Sequence, residues 1–302
     1  MRLHISTFAT ADDGFMRWAC GEAQGTRKGT VLVLPGWAEW LEKYENFLGE
    51  WQQRHFDTVI MEWRGQGLSS RFLADRRKSW IPSLDVLVED LDRFFTAQIT
   101  AAPEPVIIFA HSMGAHLALR WWMEKGHAHK NVSSLILCSI MHELNTDPFP
   151  LPAAKAIATS AVAIGADKDY APGQSAFDQS QTPFEGNRIT HDRARYEAMM
   201  DALRQTPDLK VGGITFGWLK AVFDSTAQLQ GMLLKGAPRK KYLVLGAAND
   251  TLVTTEGVRR VASLLPNCES HFYDGAGHEL LQESELLRLQ VWIDIDRFIG
   301  TV

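Results

Sequence analysis

Short apolar runs alternate with longer amphipathic ones along most of this chain. The runs at 30–34, 57–61, 106–110, 134–139, 241–246 and 270–273 are rich in Val, Ile, Leu and Phe. Gly, Pro, Asn or Asp close most of them within a few residues, which is the pattern of buried strands. Two further runs, 3–8 and 15–20, flank the turn residues Asp12-Asp13-Gly14 and predict an antiparallel pair. Helical spacing is read at 40–53, 84–99, 115–124, 256–265 and 283–299; in the second of these Leu84, Leu87, Val88, Leu91, Phe94 and Phe95 fall on one face. Strands alternating with helices predict an α/β fold, with a mostly parallel central sheet and helices on both faces.

The rhythm breaks between 142 and 230. Pro148, Pro150, Pro152, Pro172, Pro183 and Pro207 fall there, with helical pieces at 153–163 and 192–204 and no clear strand. So long a gap is not a plain loop. It predicts an inserted helical cap at 142–230 over a core made of 1–141 and 231–302. The apolar piece at 153–163 is far shorter than the roughly 20 residues that span a bilayer. Its expected role is packing within the cap; a lipid-facing lid is the sharper alternative.

Composition narrows the classes. With 302 residues and 45% hydrophobic content the chain suits one large α/β domain with an insertion. A formal charge of -5 gives no reason to expect a nucleic-acid partner. The basic run at 71–78, with Arg76, Arg77 and Lys78 beside Trp80, is expected to be a solvated loop, and an anionic head group is its sharper alternative. Cys20, Cys138 and Cys268 are far apart and show neither a disulfide framework nor metal-ligand spacing. The start of the chain lacks the apolar stretch of a secretory signal. A soluble cytoplasmic protein is the expectation, compatible with transient contact with the inner face of a membrane.

The candidate chemistry sits at strand ends. The run 106–110 stops at His111-Ser112-Met113-Gly114 and a helix-forming segment follows at once. Strand, sharp turn and helix with a hydroxyl at the apex match a nucleophile elbow, with Ala110 where G-x-S-x-G has its first Gly. The helix N-terminus brings free N–H groups and partial positive charge to an acyl-transfer oxyanion. The plainer reading is Ser112 as an ordinary helix N-cap. Downstream residues favour the elbow. Asp250 follows the strand 241–246, and His278 follows the last strand in the Gly-rich segment 274–279. The order Ser, Asp, His is that of α/β-hydrolases. Ser112 is then the nucleophile, His278 the general base and acid, and Asp250 the group that orients His278. Asp274 is the main rival for the acid, and Glu143 a weaker one. The turn Pro35-Gly36-Trp37 follows the strand 30–34, so the backbone N–H groups of Trp37 and Met113 are the expected oxyanion donors.

These residues resemble the serine-hydrolase branch of α/β-hydrolases that includes lysophospholipase L2 and monoacylglycerol lipases. Pro35-Gly36-Trp37-Ala38-Glu39 is similar to a P-G-x-x-E turn. The segment 63–69 resembles one containing R-G-Q-G-x-S, and Ala110-His111-Ser112-Met113-Gly114 matches an A-H-S-M-G elbow. In the insertion, Thr190-His191 through Arg193, Arg195 and Tyr196 resembles a T-H-x-x-R-Y-like stretch, and Val211-Gly212-Gly213 with Thr215 and Trp218 resembles V-G-G-x-T-x-x-W. Monoacylglycerol lipases usually begin the strand-end turn with His-Gly; this chain has Pro35. The resemblance implies the α/β-hydrolase fold, no metal or organic cofactor, and ester hydrolysis through an acyl-enzyme on Ser112. Single-chain acyl lipids are the expected substrates. A short-chain esterase, a lactonase, an aminopeptidase of the same branch and a non-catalytic binding scaffold are the alternatives.

Overall fold

The computed structural model describes residues 3–300. All eight expected strands are present: β1 (His4–Ala9), β2 (Phe15–Gly21), β3 (Gly29–Leu34), β4 (Phe56–Met61), β5 (Val106–His111), β6 (Val132–Cys138), β7 (Lys241–Ala247) and β8 (Cys268–Tyr273). They form one sheet in the order β1-β2-β4-β3-β5-β6-β7-β8. β1 pairs antiparallel with β2 and β2 with β4; every other pair is parallel. This is the α/β-hydrolase sheet, and it places β5 beside β3 and β6 at its centre.

Period-two alternation sends each central strand to two cores. Leu32, Leu34, Ile108 and Ala110 enter one, with side chains of α2 (Asp85–Phe94), α3 (Met113–Glu124), α6 (Phe216–Lys235) and α7 (Thr255–Leu264). Val31, Val33, Ile107 and Phe109 enter the other, against α1 (Glu45–Gln53) and α8 (Glu285–Ile299). Two expected helices are modified at an end. The segment 40–53 opens as a 3-10 turn, Leu41–Tyr44, where the buried Glu62 accepts the Leu41 N–H at 3.2 Å. The segment 84–99 finishes as a π-helical turn, Phe95–Ile99.

Between β6 and β7 the chain passes through α4 (Leu151–Ala163), α5 (Arg193–Gln205) and α6, which runs through residue 230 without a break. Tyr196, Met199, Met200 and Leu203 of α5 pack with Trp40. The basic run departs from a solvated loop. Arg71 and Arg76 both donate to the Gly67 carbonyl, at 3.0 and 3.1 Å, and both donate to the Asp208 carbonyl, at 3.2 and 2.9 Å. Carbonyls that regular structure leaves free thus absorb these cations and join the two segments. Among the described residues no helix is long and apolar enough to cross a membrane.

Two buried histidines tie α6 to the sheet side of the site. His116 of α3 meets the Ser225 hydroxyl at 2.6 Å, and His142, beyond β6, meets Gln230 at 2.8 Å. Burial, with His142 and Arg120 nearby, holds His116 well below the usual imidazole range; burial also lowers His142. The unfolded chain therefore takes up these protons first as pH falls. The stabilisation is complete above about pH 6.5, the ordinary histidine value, and is lost progressively below it. Urea unfolding measured between pH 8 and 5 should show stability falling on the acid side. The double variant His116→Leu with Ser225→Ala should flatten that slope.

Candidate active site

Ser112 stands between the end of β5 and the first residue of α3 with φ 50° and ψ -114°. A non-glycine residue adopts this conformation only where the surroundings enforce it. The Ser112 N–H donates to the Cys138 carbonyl at 2.9 Å, and its own carbonyl accepts from Met141 N at 3.1 Å. A side chain at Gly114 would overlap the carbonyls of Leu34 and Pro35, so the elbow helix can lie against β3 only with glycine there. Ser112 occupies the N-cap position, yet its side chain makes no capping bond.

The hydroxyl turns instead to His278. Ser112 Oγ lies 2.8 Å from His278 Nε2, and His278 Nδ1 lies 2.7 Å from Asp250 Oδ2. A carboxylate only accepts, so Nδ1 carries the hydrogen and Nε2 is left to accept from Ser112. The other Asp250 oxygen accepts the N–H groups of Leu252 and Val253 at 2.8 and 3.2 Å. Burial opposes the Asp250 charge, but the neighbouring His278 and these N–H groups reverse that and hold its carboxyl below the usual range. The rivals lie elsewhere: Asp274 is exposed, and Glu143 accepts from Arg260 at 3.0 Å.

The two expected oxyanion donors come from separate elements, the start of α3 and the turn after β3. Met113 opens α3, and Trp37 is the middle of a turn whose neighbours are tied down. The Ala38 N–H donates to Gln66 Oε1 at 2.8 Å, while Gln66 Nε2 donates to the Gly36 carbonyl at 2.8 Å. Among the described residues, neither the Trp37 nor the Met113 N–H has a protein acceptor. A cavity of about 560 Å³ opens at Ser112 and His278, with Met199, Met200, Leu203, Trp218 and Phe223 in its largely apolar wall. No cluster of His, Cys, Asp and Glu suited to a metal ion occurs among the described residues.

Residues 25–285 match the family described as serine aminopeptidase, S33. The chain belongs to this family. It is an α/β-hydrolase and an enzyme of the hydrolase class. The lysophospholipase L2 of Escherichia coli K12 is 26% identical over 291 residues, covering 93% of this chain and 83% of the relative. A probable lysophospholipase L2 of Haemophilus influenzae is 23% identical over 279 residues, covering 89% and 83%. A soluble variant of the Saccharomyces cerevisiae monoglyceride lipase, solved with a substrate analogue, superposes with a TM-score of 0.78. That likeness spans 100% of this chain and 97% of the lipase at 17% identity, and it shows the shared fold.

Under the site of this family member lies a charged cluster that spacing along the chain did not reveal. Lys43 Nζ is 2.7 Å from both Glu39 Oε1 and Glu279 Oε2. The other Glu39 oxygen accepts the Gly36 N–H, the Tyr44 hydroxyl at 2.6 Å and His111 Nδ1 at 3.1 Å. His111 Nε2 points at the His278 carbonyl, 3.5 Å away. Both ring nitrogens of His111 face acceptors, which suits the imidazolium. Burial pushes His111 down, but Glu39 pushes it up by more. Burial likewise opposes the Glu39 charge, and Lys43 and His111 together hold its carboxyl well below the usual range. The Glu of the P-G-x-x-E turn and the His before the nucleophile were the available signals; their partners are remote in sequence.

Glu39→Ala leaves two buried cations short of their shared carboxylate and frees the Gly36 N–H. It should cost about 3–5 kcal/mol of stability and lower kcat, while Glu39→Gln, which keeps an acceptor for Gly36, should cost less. Chemical denaturation with steady-state kinetics checks this; equal stability of Glu39→Ala and the parent would contradict it.

Proposed function

We propose that this protein is a serine carboxylic-ester hydrolase of single-chain acyl lipids, lysophospholipid or monoacylglycerol, acting through an acyl-enzyme on Ser112. The observation that carries this reading is the continuous Ser112–His278–Asp250 hydrogen-bond chain, whose Ser112 and His278 line a largely apolar cavity. The lysophospholipase and monoglyceride lipase relatives support the substrate class.

In this reading His278 Nε2 removes the Ser112 proton as Oγ attacks the ester carbonyl. The carbonyl π pair moves to oxygen, where the Trp37 and Met113 N–H groups receive the developing charge. Collapse breaks the bond to the leaving alcohol, and the proton on Nε2 passes to that alcohol. Water then attacks the acyl-enzyme by the same route, His278 taking its proton and returning it to Ser112. Asp250 holds the imidazole orientation throughout and stabilises the imidazolium.

Residues 142–230 act as a helical cap over a core of 1–141 and 231–302. Among cap elements, α4 buries Ala158 alone; Phe149 and Ile157 are exposed and line the cavity, and Ile164, just beyond the helix, is exposed too. Such a face suits transient contact with the lipid surface that supplies the substrate.

A fluorophosphonate probe should label Ser112. Ser112→Ala should lose labelling and reduce turnover by about 10⁴-fold or more. A parent protein that hydrolyses no acyl ester across a chain-length series would end the proposal.

A further inference from the structure

The cavity has a polar side, and one cation there is uncommitted. Of its lining side chains Lys43 is locked between Glu39 and Glu279. Arg188 is not locked in this way. It is exposed, and among the described residues no carboxylate lies within ion-pair distance of it. Asp147, which also lines the cavity, is equally without an ion-pair partner, so it does not neutralise Arg188.

Arg188 is nonetheless fixed in place. Its carbonyl accepts the His278 N–H at 3.4 Å, and the next carbonyl, of Ile189, accepts the Glu279 N–H at 2.8 Å. A side chain at Gly277 would collide with the Ile189 carbonyl, so the segments meet backbone to backbone. The Arg188 Nε–H donates to Thr251 Oγ1 at 3.0 Å, and Thr251 directly follows Asp250. One contact therefore anchors the residue to the base and another anchors it to the acid. The terminal Nη groups have no partner among the described residues.

This position has a chemical meaning. His278 must deliver its proton to the leaving alcohol, so the alcohol half of the ester lies on the His278 side of Ser112. A guanidinium held on that side faces the alcohol half, while the apolar wall receives the acyl chain. We infer that Arg188 is a specificity-determining residue that binds the phosphodiester of a glycerophospho leaving group, making lysophospholipid the preferred substrate over uncharged monoacylglycerol. The inference rests on the function proposed above and deepens it. Guanidinium donors match phosphate oxygens in a two-pronged geometry that an ammonium cannot reproduce.

The test compares kcat/KM for lysophosphatidylethanolamine and a monoacylglycerol of equal chain length, in detergent-free assays below micelle formation. Arg188→Gln should lower the lysophospholipid-to-monoacylglycerol ratio by about tenfold or more, mainly through KM. Arg188→Lys should recover part of that loss. Raising salt should erode the preference of the parent protein and leave the Gln variant little changed. Fluorophosphonate labelling of Ser112 reports that each variant is folded. Equal losses on both substrates, or an unchanged ratio, would overturn the role of Arg188 while leaving the ester-hydrolase reading intact. A parent protein that takes monoacylglycerol alone would do the same. A parent protein that hydrolyses neither lipid would overturn both.

Discussion

The backbone of Ser112 is the constraint from which the rest of the site follows. Its left-handed conformation costs about 1–3 kcal/mol and persists only if the surroundings over-determine it. Here they do. Ser112 is bonded through its N–H to β6 and through its carbonyl to the segment after β6. Gly114 lets α3 press on the carbonyls of Leu34 and Pro35, and Gly36 is short enough to approach the Ser112 side chain. The strands β3, β5 and β6 and the helix α3 are therefore fixed together at one point. Relaxing any of them would let the turn fall back to an ordinary N-cap and withdraw the hydroxyl from His278.

A second layer of fixation is electrostatic. The turn that carries Trp37 is gripped from below by the Glu39 carboxylate on Gly36, and from the side by Gln66. Trp63 adds a bond from its indole N–H to the Pro35 carbonyl at 2.7 Å. The same Glu39 carboxylate holds His111 against the His278 carbonyl, and Ser139 Oγ donates to that carbonyl at 2.8 Å. Thus the candidate oxyanion turn and the loop of the candidate base share one buried anchor. A lone buried carboxylate would be expelled or neutralised. Lys43 and an imidazolium at His111 make it tenable, and the second carboxylate, Glu279, balances them. Such a cluster contributes less to net stability than to holding one arrangement, because its desolvation offsets much of its attraction.

Much of this was legible in the sequence, and the parts that were not share a cause. The central strands could be read because buried parallel strands carry uninterrupted β-branched and aliphatic runs, and β1 and β2 because their runs flank the turn residues Asp12-Asp13-Gly14. Ser112, Asp250 and His278 could be proposed because each follows such a run at a break rich in small or polar residues. Within the loop 71–78, Arg77 is exposed as expected but Arg71 and Arg76 are not simply solvated, because charge along a chain does not reveal which carbonyls will fold against it. Glu39, Lys43 and Glu279 escaped notice for a similar reason. A carboxylate four residues before a lysine reads as a surface helix pair; burial appears only when the turn after β3 meets the loop after β8. Gln66 was visible within R-G-Q-G, but its task, bridging Gly36 and Ala38, depends on β4 lying beside β3.

The segment between β6 and β7 also takes part in the scaffold of the candidate base. The segment 188–191 carries the Thr190-His191 pair noted in the sequence, and its bonds run to the loop beyond β8. Thr190 Oγ1 donates to the Gln282 carbonyl at 2.7 Å, and the His191 N–H donates to Glu283 Oε1 at 3.0 Å. The same Glu283 oxygen accepts the Gly277 N–H at 2.7 Å, next to His278. An insertion that swung as one rigid lid would break all of these and carry the imidazole support away with it. Among the described residues the sparsely buried α4 makes no hydrogen bond to the loop after β8 and packs instead on α6. The cavity lining then has two parts of different character: an apolar part that includes Ile157 and Ala158 of α4, and a polar part bonded to the loops of the candidate acid and base.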